Sequence, residues 1–239
     1  MRLRPSLLGL SAFTFVFGVS TAGHAGEPIV LFDGTQASLD ANWTGYERPE
    51  FGDLWQVDAD GALHFTGRGM QGPGSNKKQV NLVTREAYGD FDLRFEWKVA
   101  EGSNSGVIYR VGLGDKKPYF TGSEYQVLDN DVHKDGKIDS HRAGAIYDMV
   151  VPSAEPKAVG EWNSGRIRIE DGLISHYLNG DVVAELRMGT PEWDQKLAES
   201  KFSRGPWVGK FMTLAEGHIS LQDHNDPVWF RNITIEELD

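Results

Sequence analysis

The segment from Phe91 to Val99 alternates apolar and charged side chains without a break, reading Phe-Asp-Leu-Arg-Phe-Glu-Trp-Lys-Val. Successive side chains of a β-strand point to opposite faces, so this pattern predicts a strand with one buried and one solvated face. Similar short segments recur along the chain, and turn-forming pairs such as Asp171-Gly172 and Asn179-Gly180 separate them. The predicted strands are 54–57, 62–65, 80–83, 91–99, 106–111, 124–128, 144–148, 166–170, 173–178, 182–186, 218–221 and 228–235.

One helix is predicted at 191–200, because Pro191 suits the first turn of a helix and Trp193, Leu197 and Ala198 fall on one side of it. A chain of many short strands with one short helix lacks the alternation of strand and helix that a parallel sheet requires. The sequence therefore predicts an all-β fold, either a two-sheet β-sandwich or a jelly roll. No repeat or second domain is visible, and 70–78 is predicted to be a surface loop.

The N-terminus has the three parts of a secretory signal peptide. Arg2 and Arg4 precede an apolar run at 7–19, and mostly small residues follow at 20–25. The run is shorter than the ~20 residues that span a bilayer, and no later segment is apolar enough to do so. We expect residues 1–25 to be removed, residues 26–239 to form a single domain, and the protein to be periplasmic or secreted without a membrane anchor.

Charge, cysteine content and motifs argue against several classes of partner and of chemistry. The net charge is −11, which disfavours nucleic acid and anionic membranes, and the chain has no cysteine for disulfides or thiol catalysis. It also lacks a Gly-X-Ser-X-Gly elbow, a P-loop and a dinucleotide fingerprint. His64 and His176 fall inside predicted strands and are interpreted as structural. The oligomeric state is not set by these features.

Polar side chains collect on one face of three predicted strands and their extensions. Alternation places Glu124 and Gln126 together on one strand, Gln222 and His224 on a second, and Arg110 on a third. It also turns the aspartate between Gln222 and His224 toward the core, where a structural role is expected. Glu, Gln, His and Arg suit fixed hydrogen bonds or metal ligation. The alternative is an ordinary solvated sheet face.

The loop at 129–139 is acidic and superficially resembles a calcium-binding loop. An EF-hand is excluded, because the twelfth position counted from Asp131 is an arginine instead of the bidentate glutamate, and no helices flank the loop. A divalent metal site built from Glu124, Asp129, His133 or His224 stays open, since carboxylates and imidazoles together suit several divalent ions. A hydrated acidic loop is the alternative.

A series of short motifs, in order and at consistent spacing, resembles the 3-keto-disaccharide hydrolase family over nearly all of residues 28–238. The motifs are Leu-Phe-Asp-Gly-Thr at 31–35, Tyr-Gly-Asp-Phe at 88–91, Asn-Ser-Gly at 104–106, Glu-Tyr-Gln-Val-Leu-Asp-Asn at 124–130, Ala-Gly-Ala-Ile-Tyr at 143–147, Gly-Glu-Trp-Asn at 160–163, Leu-Asn-Gly at 178–180 and Leu-Gln-Asp-His at 221–224. Two departures occur: Asn225 replaces the usual glycine, and 207–217 is longer than usual. The resemblance implies a concanavalin A-like jelly-roll sandwich that acts on glucosides already oxidised at C3.

A C3 ketone acidifies the C2 proton and makes the C1 oxygen a β leaving group, so such a glucoside can be cleaved by elimination and then hydrated. On this chemistry His133 or His224 would act as base or metal ligand, and Glu124 as ligand or acid–base group. The candidate catalytic residues are Glu124, His133 and His224. The candidate sugar-binding residues are Asn104, Arg110, Gln126, Tyr147 and Gln222. The candidate ligands of a divalent metal ion of unknown identity are Glu124, Asp129 and His224.

Two other functions compete with this one. A sandwich glycosidase would need an acid and a nucleophile, and no paired carboxylates on one strand suggest it. A non-catalytic, lectin-like carbohydrate-binding protein is the second alternative, since a fold does not fix a function.

Overall fold

The computed structural model describes residues 27–48, 51, 54–67 and 80–238. The predicted signal peptide at 1–25 and the predicted loop at 70–78 lie outside these residues. Within the described part, none of the helices has the length and apolar character to cross a membrane.

Two antiparallel sheets are formed by the described residues. The strands are β1 Ile29–Phe32, β2 Trp43–Gly45, β3 Trp55–Val57, β4 Leu63–Phe65, β5 Leu82–Thr84, β6 Phe91–Val99, β7 Asn104–Val111, β8 Ser123–Leu128, β9 Asn163–Glu170, β10 Leu173–Leu178, β11 Asp181–Arg187, β12 His218–Leu221 and β13 Val228–Glu237. The larger sheet has eight strands in the order β11-β10-β9-β6-β13-β4-β3, with β1 also pairing with β13, and the smaller has five in the order β2-β5-β12-β7-β8.

The core lies between the sheets and explains the alternation along β6. Phe91 and Phe95 are buried and meet rings of the smaller sheet edge-on, Phe91 against Tyr109 at 6.4 Å and Phe95 against Tyr125 at 5.3 Å between ring centroids. Such edge-to-face pairs add to the free energy gained by burying the rings. The smaller sheet thus keeps one face in the core and turns its other face outward, where loops cover it.

Helix α2, Pro191–Glu199, confirms the predicted helix to within one residue. A second helix, α1 at Gln36–Asn42, was not predicted. It begins at Thr35, whose hydroxyl accepts the backbone N–H of Ser38 at 3.1 Å as an N-cap. With seven residues and one buried side chain, Leu39, it is too short to produce a clear apolar stripe.

The predicted strand at 144–148 is wrong. This segment forms turns, and of its residues Ile146 alone makes isolated bridges, one to Tyr125 and one to Val150. Gly144 at φ 88° and Asp148 at φ 60° adopt left-handed backbone conformations that interrupt a strand. The apolar side chains of Ala145 and Ile146 are fully buried although the segment is not a strand.

His176 has a structural role, as predicted. It is fully buried in β10, where Nδ1 lies 3.2 Å from the carbonyl oxygens of Gly144 and Ala145, and Nε2 lies 3.1 Å from the Tyr109 hydroxyl. Burial lowers the pKa of His176 to about 3, so the ring is neutral. It joins the core to the turn at 144–145. His64 is half-buried and stacks on Trp229 at 4.3 Å, away from the cavity described next.

Candidate active site

A cavity of about 270 Å³ opens on the outward face of the smaller sheet. This volume is near the lower end of the range for small-molecule sites. It is lined by residues of β7 and β8, of the segment after β12, and of loops that cover the sheet: Asn104, Tyr119, Glu124, Gln126, Asp135, Tyr147, Lys201, Trp207, Gln222 and His224. Most of the sugar-binding candidates and two of the three catalytic candidates therefore meet in one place.

The floor of the cavity follows from strand alternation. In β8 the rings and aliphatic side chains enter the core, whereas Glu124 and Gln126 point into the cavity. Gly106 of β7 pairs with Gln126, and the Gly106 carbonyl oxygen accepts the backbone N–H of Gln222 at 2.9 Å. Gly106 thus lies between two glutamines that both face the cavity.

The absence of a side chain at Gly106 makes room for the Glu124 carboxyl group. A Cβ atom built on Gly106 would collide with Oε1 of Glu124 and would lie only 2.7 Å from its Cδ atom. The carboxyl group therefore packs directly over the backbone of Gly106. This close approach is the physical reason for a glycine in the middle of a buried strand.

Glu124 has the most strongly perturbed carboxyl group of the cavity. Burial raises its pKa from 4.5 to about 7, and the charges of Lys201 and His224 oppose the rise while Asp135 adds to it. No hydrogen bond or ion pair to the Glu124 carboxyl group is found within the described ranges. A carboxyl group with a pKa near neutrality can both take up and release a proton at physiological pH.

Several polar atoms of the cavity wall are buried without a hydrogen-bond partner in the described structure. They are Oδ1 of Asn104, both terminal atoms of the Gln126 amide, Oε1 of Gln222 and Nδ1 of His224. Leaving a buried donor or acceptor unpaired costs about 1–3 kcal/mol, so a cluster of them is unusual in a folded protein. A ligand that carries several hydroxyl groups would supply the missing partners.

One end of the cavity combines a cation with aromatic rings. The Nζ atom of Lys201 lies 4.1 Å from the ring centroid of Tyr147 and 5.5 Å from that of Trp207. The Tyr147 ring also stacks on His141 at 4.2 Å between ring centroids, and His141 Nε2 lies 2.9 Å from a carboxylate oxygen of Asp148. Burial lowers the pKa of Lys201. Tyr147, predicted to bind substrate, thus supports this end of the cavity.

His224, which lines the cavity, belongs to a group of two imidazoles and a carboxylate. The rings of His133 and His224 meet edge-on at 5.9 Å, and ligand atoms of His133, His224 and Asp226 lie within 4.8 Å of one another. Asp226 also accepts the backbone N–H of Asn104 at 3.3 Å, and His133 Nδ1 accepts that of Asp135 at 3.2 Å. Nδ1 of His224 makes no hydrogen bond to the described residues and lies 3.7 Å from a carboxylate oxygen of Asp226, and this mixed donor set fits a divalent metal ion.

Asp129, predicted as a metal ligand, does not line the cavity. Its carboxylate oxygens accept backbone N–H groups from Gly102 at 2.7 Å, Asp131 at 3.0 Å and Val132 at 3.3 Å. It fixes the turn that follows β8. Asp226 takes the place in the imidazole cluster that the sequence analysis assigned to Asp129, and Glu124 is likewise not a member of that cluster.

Arg110, predicted to bind sugar, also lies away from the cavity. A β-bulge between β7 and β12 gives Arg110 a φ of 58° and reverses the alternation, so that Ile108 and Val111 pack in the same apolar cluster. The guanidinium group donates to Asp90 at 2.9 Å and to the Leu214 carbonyl at 3.0 Å. Arg110 therefore anchors the loop that precedes β12.

The residue between Gln222 and His224 is structural, as predicted. Asp223 is fully buried, and its carboxylate accepts the backbone N–H groups of Val80 at 2.6 Å and Asn225 at 3.0 Å. These bonds hold the segment after β12 in the shape that presents Gln222 and His224. Five residues of the cavity and the imidazole group were not predicted, namely Tyr119, Asp135, Lys201, Trp207 and Asp226. The first four lie in short 3₁₀ helices and Asp226 lies between β12 and β13, where no periodicity points to them, although the His-X-Asp spacing of Asp226 was a usable signal.

The chain is similar to known proteins in both sequence and structure. A curated 3-keto-disaccharide hydrolase from Bacteroides thetaiotaomicron is 36% identical over 233 residues, which cover 88% of this chain and 78% of that protein. A crystal structure from Parabacteroides distasonis, assigned provisionally as a glycosyl hydrolase, has a TM-score of 0.76 at 29% identity and covers 90% of this chain and 94% of its own.

The fold itself is shared more widely. A Bacillus subtilis protein with a galectin-like fold matches with a TM-score of 0.52 at 11% identity, over 90% of this chain and 97% of its own, and confirms the jelly-roll sandwich. The family model described as a 3-keto-alpha-glucoside-1,2-lyase-like domain matches residues 27–236. This match and the 36% identical relative show that the chain belongs to the 3-keto-disaccharide hydrolase family.

Proposed function

We propose that this protein cleaves the glycosidic bond of 3-keto-glucosides or 3-keto-disaccharides, by removal of the C2 proton, elimination of the aglycone and hydration of the product. Its family and its provisionally assigned glycosyl hydrolase relative support cleavage of a glycoside. The observation that carries the proposal is the Glu124 carboxyl group, with a pKa of about 7, in a cavity beside unpartnered Gln126 and Gln222 amides.

The proposed reaction needs no external oxidant or reductant. A base takes the C2 proton, and the electron pair of the C2–H bond forms the enolate of the C3 ketone. The C1–O bond then breaks, and the aglycone oxygen leaves with the bonding pair and takes up a proton. Water adds its hydroxyl group to C1 and a proton to C2, so the sum of the steps is hydrolysis.

Glu124 is the proton-carrying residue in this proposal. As a carboxylate it accepts the C2 proton, and as a carboxylic acid it returns a proton to the leaving oxygen. Both forms are populated near neutral pH because its pKa is about 7. Asn104, Gln126 and Gln222 hold the sugar hydroxyls, and Trp207 offers a ring face to the sugar.

His133, His224 and Asp226 are proposed to hold a divalent metal ion beside the sugar. When bound, such an ion would act as a Lewis acid toward the ketone or a neighbouring hydroxyl. The wild-type protein is expected to retain about one divalent ion per chain by elemental analysis, and His224→Ala and Asp226→Asn are expected to abolish retention. Asp181→Asn, a change at an exposed carboxylate of β11, is the control and should bind as the wild type does. Retention of the metal ion by both site variants, or absence of the metal ion from the wild-type protein, would contradict the proposed metal site.

The substrate assignment is tested with a matched pair of sugars. Purified protein is incubated with a 3-keto-glucoside and with the unoxidised parent, and products are identified by NMR. Release of aglycone from the ketone alone is expected, because only the ketone acidifies the C2 proton. Release from the parent sugar would indicate a glycosidase acting directly on the acetal. Saturable binding of the ketone without any product would indicate a lectin-like protein.

Export to the periplasm or beyond is part of the same proposal. The signal-peptide pattern at 1–25 supports it, and a single domain over 26–239 stays a prediction.

A further inference from the structure

The Lys201 ammonium group lacks the polar partners that a half-buried lysine normally has. Its Nζ atom lies over the rings of Tyr147 at 4.1 Å, Phe202 at 5.3 Å and Trp207 at 5.5 Å. No hydrogen bond or ion pair of this atom occurs among the residues that the structure describes. A charge removed from water in this way requires compensation, which a ligand in the cavity could provide.

The backbone holds Lys201 firmly in this position. Its N–H group donates to an Asp148 carboxylate oxygen at 2.7 Å, directly after helix α2. Ser200 caps the following turn by accepting the N–H of Phe202 at 3.2 Å, and the Phe202 ring stacks on Phe211 at 3.8 Å. The long side chain therefore starts from a fixed point and crosses the Tyr147 ring to reach the cavity.

Lys201 and Glu124 face the same cavity without touching. The charge of Lys201 is the largest influence opposing the rise in the Glu124 pKa, yet no ion pair joins the two groups. Lys201 is also the only lysine or arginine among the residues that line this described cavity. A carboxyl group and an ammonium group separated by a gap can act on two atoms of one substrate.

We infer that Lys201 is a catalytic residue that donates a hydrogen bond to the C3 oxygen and stabilises the enolate formed there. This inference rests on the proposed function. When Glu124 takes the C2 proton, the pair of the C2–H bond forms the C2–C3 double bond and the carbonyl π pair moves to the C3 oxygen. The ammonium group stabilises the negative charge on the C3 oxygen. When the C1–O bond breaks, the electron pair on that oxygen re-forms the C3 carbonyl and the C2–C3 pair forms the C1–C2 double bond. A donor placed where charge develops stabilises the transition state more than the ground state.

The test uses the absence of cysteine from the chain. Lys201→Met is expected to lower kcat on a 3-keto-glucoside by about 10²–10³-fold, with a smaller change in KM, as for loss of one oxyanion donor. Lys201→Cys should be equally impaired. Alkylation of this single thiol with 2-bromoethylamine rebuilds an ammonium group at the same distance and should restore kcat at least tenfold, whereas alkylation with iodoacetamide, which adds a neutral amide, should not.

The exposed Lys116→Cys, treated identically, is the control for alkylation and should keep the wild-type rate throughout. A Lys201→Met enzyme within a few-fold of wild type would overturn the inference. So would restoration of the rate by the neutral amide, or failure of the ammonium to restore it. These outcomes leave the proposed function intact, because the wild-type protein still cleaves the ketone. If the wild-type protein cleaves no 3-keto-glucoside, the proposed function fails and the inference fails with it.

Discussion

Glu124→Gln is expected to lower kcat for cleavage of a 3-keto-glucoside by about 10²–10⁴-fold, the usual contribution of a positioned acid–base residue. The amide keeps the shape of the side chain but cannot accept the C2 proton. The wild-type kcat/KM should rise with pH through an apparent pKa near 7, because the carboxylate is the base and burial sets its pKa at about 7. The rise of kcat/KM near pH 7 should be absent from the residual activity of Glu124→Gln.

The same substitution is expected to stabilise the fold at alkaline pH. The Glu124 pKa is about 7 in the folded protein and 4.5 for an ordinary glutamate, so the folded state holds the proton more tightly. The stabilisation that comes from this tighter proton binding is fully present below pH 4.5 and is lost as the pH rises to 7. Above pH 7 the glutamine variant should therefore be more stable by about 1–3 kcal/mol, since one pKa unit corresponds to 1.36 kcal/mol.

Denaturant unfolding at pH 4.5 and pH 8 measures this difference. The two proteins should be similar at the lower pH and should diverge at the higher one. Glu101→Gln, a change at an exposed carboxyl group, provides the control and should leave both stability and kcat unchanged. Retention of more than a tenth of the wild-type kcat by Glu124→Gln, or a stability difference that does not depend on pH, would contradict the role given to Glu124.

Gly106→Ala is expected to cost about 10²-fold in kcat, because a displacement of about 1 Å in a catalytic group can have an effect of this size. The new methyl group would collide with the end of the Glu124 side chain, 2.7 Å from its Cδ atom. The end of a flexible side chain can move, so the carboxyl group should swing away while the strands keep their pairing. The substitution should therefore change the free energy of unfolding much less than it changes kcat.

A crystal structure of Gly106→Ala should show the Glu124 carboxyl group displaced from its place over the backbone of β7. Gly89→Ala is the matched control, since the nearest atom to its Cβ is the Ala215 carbonyl oxygen at an ordinary contact distance of 3.9 Å. A Gly106→Ala protein with full activity would mean that the position of the carboxyl group is not critical.

Alternation along the strands was sufficient to predict the floor of the candidate site. β6 has the bounds that its pattern predicts, and Glu124, Gln126 and Gln222 face one cavity as their spacing indicated. Period-two reasoning works where both faces of a strand have distinct environments, as they do here. It failed at Arg110, where a bulge inserts an extra residue and turns the side chain away from the cavity.

The rest of the candidate site could not be found in this way. Lys201 and Trp207 reach the cavity from two short 3₁₀ helices after helix α2, and their approach depends on long-range packing that has no sequence period. The sequence could not assign Asp129 to a turn or to a metal site, because a carboxylate that fixes a turn and one that binds a metal ion share the same residue type and spacing. Only its hydrogen bonds to backbone N–H groups separate the two roles.

Isotopic labelling at C2 shows whether this protein cleaves its substrate through removal of the C2 proton. A 3-keto-glucoside deuterated at C2 is compared with the unlabelled sugar, and the unlabelled sugar is also cleaved in D₂O, with enzyme-free samples to correct for spontaneous exchange. If the C2 proton is removed, the deuterated substrate is cleaved more slowly and the hydrated product carries solvent deuterium at C2. Equal rates for both substrates, together with a product that retains its original C2 hydrogen, would contradict removal of the C2 proton.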